Sequence, residues 1–474
     1  MMELSSLDGL MGIWSLPDLP ESKINGILSY IDGSIILKTT EQFNGIEDLE
    51  IIKYPVIIGF TSNGKKVTFI KCSKPSQKIN MPGLIEFVFK PLVIIVGEQY
   101  KKEEDIFFSS VNAHYFGLEK WIDDRPFQII RIPETNEIIT NYKMSPCYRC
   151  NLDGFVVSTD NECNYHVELS GSFELKQKTT ITIEFNEVRY WQSAVDELYN
   201  YGAFLTLCMG TYCEIDSINA ENNAGVQIEI LHNYTPNKRQ KLKAEFLVDF
   251  KDIRDNYEQH LRRWYEIKNE MTPIIAYFIE VHNISGAINV VTGFLKMAQA
   301  LESYSRKTRN ETIRLPEVHA QRINNIIADI EDEDNRAWLE VVLKTPILNE
   351  PSLTSRITAL LTETSSILGI SKSKLKSLAY KIVVSRNYYT HFNKDIKEKI
   401  LSDHDLYYST TLLKYVLRIH LFRELKIADG YIKEKLLSDT ELNYALVNLR
   451  LAPELKIFSI KTEKQSSEQE MKSE

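Results

Sequence analysis

Two hydrophobic periods run along this chain. Up to about residue 231, apolar residues come in short bursts bounded by turn formers, which is the pattern of β-strands. Residues 27–31 and 34–37 flank Asp32-Gly33, and residues 55–60 and 66–71 flank Asn63-Gly64. Both dipeptides favour the tight turn of a hairpin. Further strands are expected at 85–96, 127–132, 154–158, 165–169, 180–185 and 226–231, with one helix over 190–207 among them. Strands arriving at short intervals predict a sandwich or a strongly twisted barrel. Near Pro236 the period changes. Residues 237–243 are basic and polar and read as a linker, and from about Asp252 the apolar spacing is helical. Val290, Val291, Phe294, Met297, Ala298 and Leu301 make one face of a helix starting near Ser285. Later helices are predicted from Ser371 or Ser373 through His391, and over 405–426. The mostly acidic run 329–334 reads as a surface turn. The polar, Ser/Glu-rich end at 461–474 reads as disordered.

The fold class that follows is α+β multidomain. A β-rich N-terminal domain, sandwich or barrel-like, covers residues 1–235, a linker 236–251, an all-α bundle 252–460 and a tail 461–474. A length of 474 residues agrees, being too long for one ordinary core. The chain is 43% hydrophobic and 26% charged, as soluble globular proteins are. No apolar run approaches the ~20 residues that cross a bilayer. The opening Met1-Met2-Glu3-Leu4 has no basic region or apolar run, so a cytoplasmic location without membrane attachment is expected.

A net charge of -9 excludes indiscriminate nucleic-acid binding, which needs a basic balance. Residues 361–400 depart from that average. They hold eight bases (Lys372, Lys374, Lys376, Lys381, Arg386, Lys394, Lys397, Lys399) against three acids (Glu363, Asp395, Glu398), or 8 - 3 = +5. Such a strip is either a solvated helix face or a phosphate-attracting path, with Lys372, Lys376 and Lys381 as candidate RNA contacts.

The strip runs into Arg386-Asn387-Tyr388-Tyr389-Thr390-His391. A guanidinium grips a phosphate bidentately, and an imidazole moves a proton near neutral pH, so the pair suits phosphodiester cleavage. Asn387 and His391 lie one turn apart on one helix face, whereas Arg386 is five positions from His391, about 140° round the helix. Either the helix breaks between them or a second subunit completes the site.

Arg-Asn-x-x-x-His in a helical bundle resembles the signature of HEPN domains, and the chain as a whole resembles the ApeA-like anti-phage proteins. The resemblance is carried also by Gly12-Ile13-Trp14-Ser15-Leu16-Pro17, Asn25-Gly26-Ile27-Leu28-Ser29-Tyr30 and Ala300-Leu301-Glu302-Ser303-Tyr304. It implies a β-rich sensor or regulatory domain before a HEPN nuclease bundle, a homodimer formed through that bundle, and a phage-derived trigger at the N-terminal half. It further implies metal-independent RNA cleavage, with tRNA the first substrate to test. His391 would be the general base or acid, Arg386 the phosphate stabiliser and Asn387 an orienting residue. HEPN-like bundles also serve as non-catalytic dimerisation or binding modules, and that reading stays beside the enzymatic one. Glu302 falls on a helix expected to face the motif, though a surface glutamate is the readier explanation. Arg418, His420 and Arg423, on the following helix, are candidates for further phosphate contacts, second to structural roles.

The six cysteines are expected to be reduced. Cys147-x-x-Cys150 and Cys163-x-x-His166, separated by twelve residues, approach the spacing of a structural zinc site. If Cys163 to His166 lie on a strand instead, the two side chains face opposite ways. Any such zinc would be structural, and catalysis requires no cofactor.

Overall fold

In the computed structural model of the chain, Asp32 and Gly33 take φ values of 50° and 80°, as the hairpin turn between them requires. The structure describes residues 4–43, 53–79, 83, 85–169, 171–233, 241–283, 289–309, 311–392 and 394–451. The chain divides into two compact units, Met1–Tyr265 and Glu266–Glu474.

In the first unit the turn at Asp32-Gly33 joins two strands of a barrel. Its strands are β1 (Met11–Leu16), β2 (Leu19–Ile31), β3 (Ser34–Thr39), β4 (Lys53–Thr61), β5 (Lys66–Ile79) and β6 (Ile85–Lys90). They are ordered β5-β4-β1-β2-β3-β6, and β6 pairs back onto β5 to close six strands. Of the two architectures the strand pattern predicts, the barrel is the one formed. Its core is Trp14, Leu28, Leu37, Ile57, Phe69 and Phe89, with Trp14 stacked on Phe69 at 4.7 Å between centroids.

The strand expected over 85–96 is two strands. Pro91 offers no N–H to a ladder, and the chain splits there into β6 and β7 (Val93–Val96). Buried Asn233 holds the split together, donating to Pro91 O and Ile35 O at 2.7 Å each and accepting from Ile35 N at 2.6 Å.

From β7 the sheet continues through β8 (Phe107–Tyr115) and, after a separate hairpin of β9 (Phe127–Ile132) and β10 (Glu137–Tyr142), through β11 (Arg149–Leu152), β12 (Phe155–Val167), β13 (Phe173–Tyr190), β14 (Ile215–Asn222) and β15 (Gln227–His232). The spatial order is β7-β15-β14-β8-β13-β12-β11. The strands expected at 154–158 and 165–169 are one strand, paired with β13 without a shift from Phe155↔Phe185 to Val167↔Phe173. Helix α1 (Leu118–Ile122) follows β8, and α2 (Trp191–Met209), the helix expected over 190–207, packs on β8 and β13.

Two further helices, α3 (Phe250–Ile253) and α4 (Tyr257–Glu270), begin where the helical period begins. The division between the units nevertheless falls after Tyr265, later than the change of period. The reason is aromatic packing. The Tyr257 and Tyr201 hydroxyls meet at 2.5 Å, and Trp264 Nε1 donates to Asn200 O at 3.0 Å, tying α4 to α2.

The second unit contains α5 (Thr272–Asn283), α6 (Val290–Thr308), α7 (Pro316–Ala328), α8 (Glu333–Leu343), α9 (Leu353–Leu368), α10 (Lys372–His391), α11 (Asp403–Glu424), α12 (Asp429–Leu437) and α13 (Thr440–Asn448). Helix α6 packs on α9, α10 and α11, and α9 packs on α10 and α11, with Phe294, Leu301, Leu360, Ile382, Leu412 and Val416 buried among the residues of these helices. Local chemistry sets the ends. Ser352, Ser402 and Asp439 accept from the third N–H beyond them, and Gly369 closes α9 at φ 67°. Of the acidic run 329–334, residues 329–332 make the turn between α7 and α8, with Asp332 capping α8, and Glu333 and Asp334 open the first turn of α8. Residues 284–288, where a helix start was expected, residues 236–240 of the expected linker and the tail 461–474 lie outside the described residues. Among the described residues no helix is long and apolar enough to cross a membrane.

Candidate active site

Helix α10 is apolar where it meets the bundle, through Leu375, Leu378, Ala379, Ile382 and Val383. Its last turns carry the motif. Ser385 is fully buried; its hydroxyl donates to Lys381 O and accepts Leu401 N, both at 2.8 Å, which pins the chain beyond the helix against the helix itself. Tyr388 is buried as well and packs on Phe392, whose φ of 53° ends the helix. These two residues fix the frame in which Arg386, Asn387 and His391 stand.

The Arg386 guanidinium is held from two sides. Nη1 donates to Asn387 Oδ1 at 3.1 Å, and Nη2 donates to Glu302 Oε2 at 3.2 Å. Of its five N–H donors, three stay available to a phosphate. Glu302 in turn accepts from Arg306 Nε at 3.3 Å, Arg306 pairs with Glu350, and Glu350 accepts from Arg356 Nη2 at 3.1 Å. Burial works against the Arg306 charge, yet Glu350 and Glu302 hold its guanidinium above its ordinary value. The result is a row of alternating charges, three bases and two acids, ending at Arg386.

His391 is exposed at the last position of α10, and among the described residues its side chain makes no hydrogen bond. The helix is continuous through both residues, so no break brings Arg386 and His391 together within one chain. Their separation along the axis is about 7.5 Å with about 140° between them. Lys372, Lys376 and Lys381 are exposed on the same helix and have no ion-pair partner among the described residues.

The sequence undervalued Glu302. The structure sets it on Arg386, and its spacing of four from Arg306 was the available signal for an ion pair on a helix face. Arg418, His420 and Arg423 serve the fold. Arg418 is 1% exposed, donates to His282 Nε2 at 2.6 Å and lies over Phe278; His420 is buried against Tyr304; Arg423 grips Asp429 with two bonds of 2.9 Å.

The four proposed zinc ligands are not brought together. Cys163 and His166 sit three positions apart within β12 and therefore face opposite ways. Cys147 is exposed, while Cys150 is buried, its thiol pushed up to about 12, chiefly by burial. Among the described residues no group of three or more His, Cys, Asp or Glu is placed to hold a metal.

The sequence profile described as ApeA N-terminal domain 1 matches residues 10–264, a little over half of the chain. The chain belongs to the ApeA family. A second profile, described as Apea-like HEPN, matches residues 295–431 and so includes Glu302, Arg386, Asn387 and His391. No curated protein and no solved structure matches. An ApeA domain before an Apea-like HEPN bundle makes this a HEPN nuclease-type defence protein.

Proposed function

We propose that the helical unit is a metal-independent endoribonuclease acting in anti-phage defence by abortive infection. The observation that carries the reading is the contrast within one helix: Arg386 is oriented by Glu302 and Asn387, while His391 stands exposed with no side-chain hydrogen bond among the described residues. His391 takes the proton from a ribose 2′-OH, the 2′-oxygen attacks phosphorus, and the bond to the 5′-oxygen breaks. The leaving 5′-oxygen collects a proton from the second copy's imidazole or from water. Arg386 stabilises the charge gathering on the phosphoryl oxygens. The products are a 2′,3′-cyclic phosphate and a 5′-OH, and DNA, lacking the nucleophile, is not cut. Acid–base assistance of this kind contributes about 10²–10⁴-fold, and a placed cation on the developing oxyanion a similar amount.

The continuous helix makes the homodimer part of the chemistry, since a straight α10 splays Arg386 from its own His391. Lys372, Lys376 and Lys381 extend a positive field along the approach to the motif, and tRNA is the substrate proposed. The β-rich unit is assigned the sensor, holding the nuclease quiet until a phage-derived trigger binds.

The test is incubation of purified full-length protein with total tRNA in EDTA, beside His391→Ala. Fragments with cyclic-phosphate ends from the parent alone support the reading. Equal silence of both proteins, after addition of phage lysate as a source of trigger, moves the bundle to a non-catalytic binding module.

A further inference from the structure

The α7–α8 hairpin carries most of its apolar residues on the outside. Helix α8 buries none of its residues and α7 buries Ile323 alone. Yet both carry apolar faces at helical spacing. Leu315, Val318 and Ile326 fall within about 80° of one another, and Trp338, Val341 and Val342 within about 100°. Leu315, Trp338 and Val341 are 68%, 63% and 75% exposed. Faces of this kind mark a surface that another molecule covers. At the tip, Asp329, Glu331, Asp332, Glu333 and Asp334 give five acids in six residues, and none has an ion-pair partner among the described residues.

The complementary surface is on this same chain. Lys372, Lys376 and Tyr380 follow one another at intervals of four along the exposed face of α10, and Tyr380 is 49% exposed. Bases and an apolar ring stand there in the order that an acidic tip followed by an apolar arm would meet them. The lengths also agree: α7 is about 20 Å long, and Lys376 to His391 along α10 is about 22 Å. A hairpin whose tip sits on Lys372 and Lys376 therefore brings its stem beside His391.

That stem is joined to the arm's own Arg386. Asn349 clamps the base of the hairpin, accepting from Ile313 N through its backbone carbonyl at 2.7 Å, accepting from Arg314 N through Oδ1 at 3.0 Å and donating to Arg314 O at 2.9 Å. The adjacent Glu350 pairs with Arg306, which shares Glu302 with Arg386.

We propose that the α7–α8 hairpin is an arm that docks on α10 of a second copy of this chain, acidic tip on Lys372 and Lys376 and apolar face over Tyr380. Docked in this way, each arm reaches along the motif helix of the other copy, a continuous helix that leaves no Arg386 beside its own His391. The docked tip takes Lys372 and Lys376 out of the RNA path and leaves it to Lys381, with Lys394, Lys397 and Lys399 beyond the motif. This deepens the nuclease reading and rests on it for the meaning of the dimer, although the docking itself does not need RNA.

Sedimentation of the full-length protein tests it. The parent is expected to dimerise. Glu331→Lys with Glu333→Lys, or Lys372→Glu with Lys376→Glu, should each weaken the dimer at least about tenfold, and all four together should restore it. Trp338→Glu should weaken it with no charge partner to rescue it. A parent monomeric at tens of micromolar, on the order of the weakest stable associations, overturns the proposal; so does a dimer indifferent to reversal of the tip. His391→Ala should dimerise like the parent. A tip-dependent dimer that cuts no RNA keeps the arm and sinks the nuclease reading. Cleavage by a dimer that ignores the tip does the reverse.

Discussion

Glu302 and Arg386, 84 residues apart in the chain, meet at 3.2 Å across α6 and α10. The pair is mostly shielded, with side chains 14% and 22% exposed, so the carboxylate fixes the guanidinium in one orientation. Asn387 fixes it from the other side. Glu302 acts through Arg386 and is a positioning residue. Glu302→Ala should lower single-turnover cleavage about 10–100-fold, because a loose cation is no longer aimed at the phosphate. Glu302→Gln keeps an acceptor at the same place and should recover much of the loss. The unfolding free energy should fall by about 1.5–3 kcal/mol for the alanine variant, the worth of a hydrogen bond to a charged group. Equal cleavage by both variants and the parent would remove Glu302 from the site.

Arg386→Ala and His391→Ala should both abolish cleavage but part company in stability. His391 is exposed at the end of the helix and makes no side-chain hydrogen bond among the described residues, so its loss should cost no more than about 0.5 kcal/mol. Arg386 anchors one end of the charge row, and its loss strips a partner from Glu302 and from Asn387, costing about 1.5–3 kcal/mol. Urea titration of the two variants beside the parent separates them. A large loss for His391→Ala would mean that the imidazole is a structural cap.

How much of this was legible depends on range. Asp32-Gly33 announces its turn through its own local chemistry, and the strands on either side follow the sequence closely; the cap at Ser402 and the stop at Gly369 are equally local but were not singled out. The motif on α10 was equally plain. What stayed hidden was long-range. The closure of β6 onto β5 depends on a strand splitting at Pro91 and on Asn233, some 140 residues away, filling the gap. Tyr257 and Trp264 look like the start of the helical half by period, yet their partners lie on α2. Glu302 reads as a surface carboxylate until the fold supplies Arg386. The cysteine spacing misled for the opposite reason, since a strand cancels what a spacing suggests.

Metal removal follows from that last point. With Cys163 and His166 on opposite faces of β12 and Cys150 buried with its thiol kept protonated, chelation is expected to draw no zinc from these residues. Prolonged EDTA treatment should leave the melting temperature of the full-length protein unchanged. Cys163→Ser should melt within about 0.5 kcal/mol of the parent, as ordinary surface substitutions do. A drop in melting temperature on chelation, reversed by zinc, would reinstate the site.

Two histidines should give stability opposite slopes at the two ends of the pH range. Burial alone would lower the pKa of His114, but Asp216 Oδ2 and Glu119 Oε1, each 2.9 Å from a ring nitrogen, raise it to about 9. Its folded pKa is above the unfolded value of 6.5. Its contribution is therefore fully present below pH 6.5 and is lost as pH rises through about 9. His420 is the reverse case. Burial is the main cause of its lowered pKa; nearby Arg309 and Arg423 add to it, and the pKa falls to about 4 despite the bond to Leu360 O. The unfolded chain takes up that proton first, so stability is lost as pH falls from 6.5 towards 4. Urea midpoints of the full-length protein between pH 4 and pH 10 should fall at both ends. His114→Gln should flatten the alkaline limb alone, and His420→Gln the acid limb alone. An alkaline limb unchanged by His114→Gln would show that its two carboxylates hold the folded state no better with the imidazolium than without it.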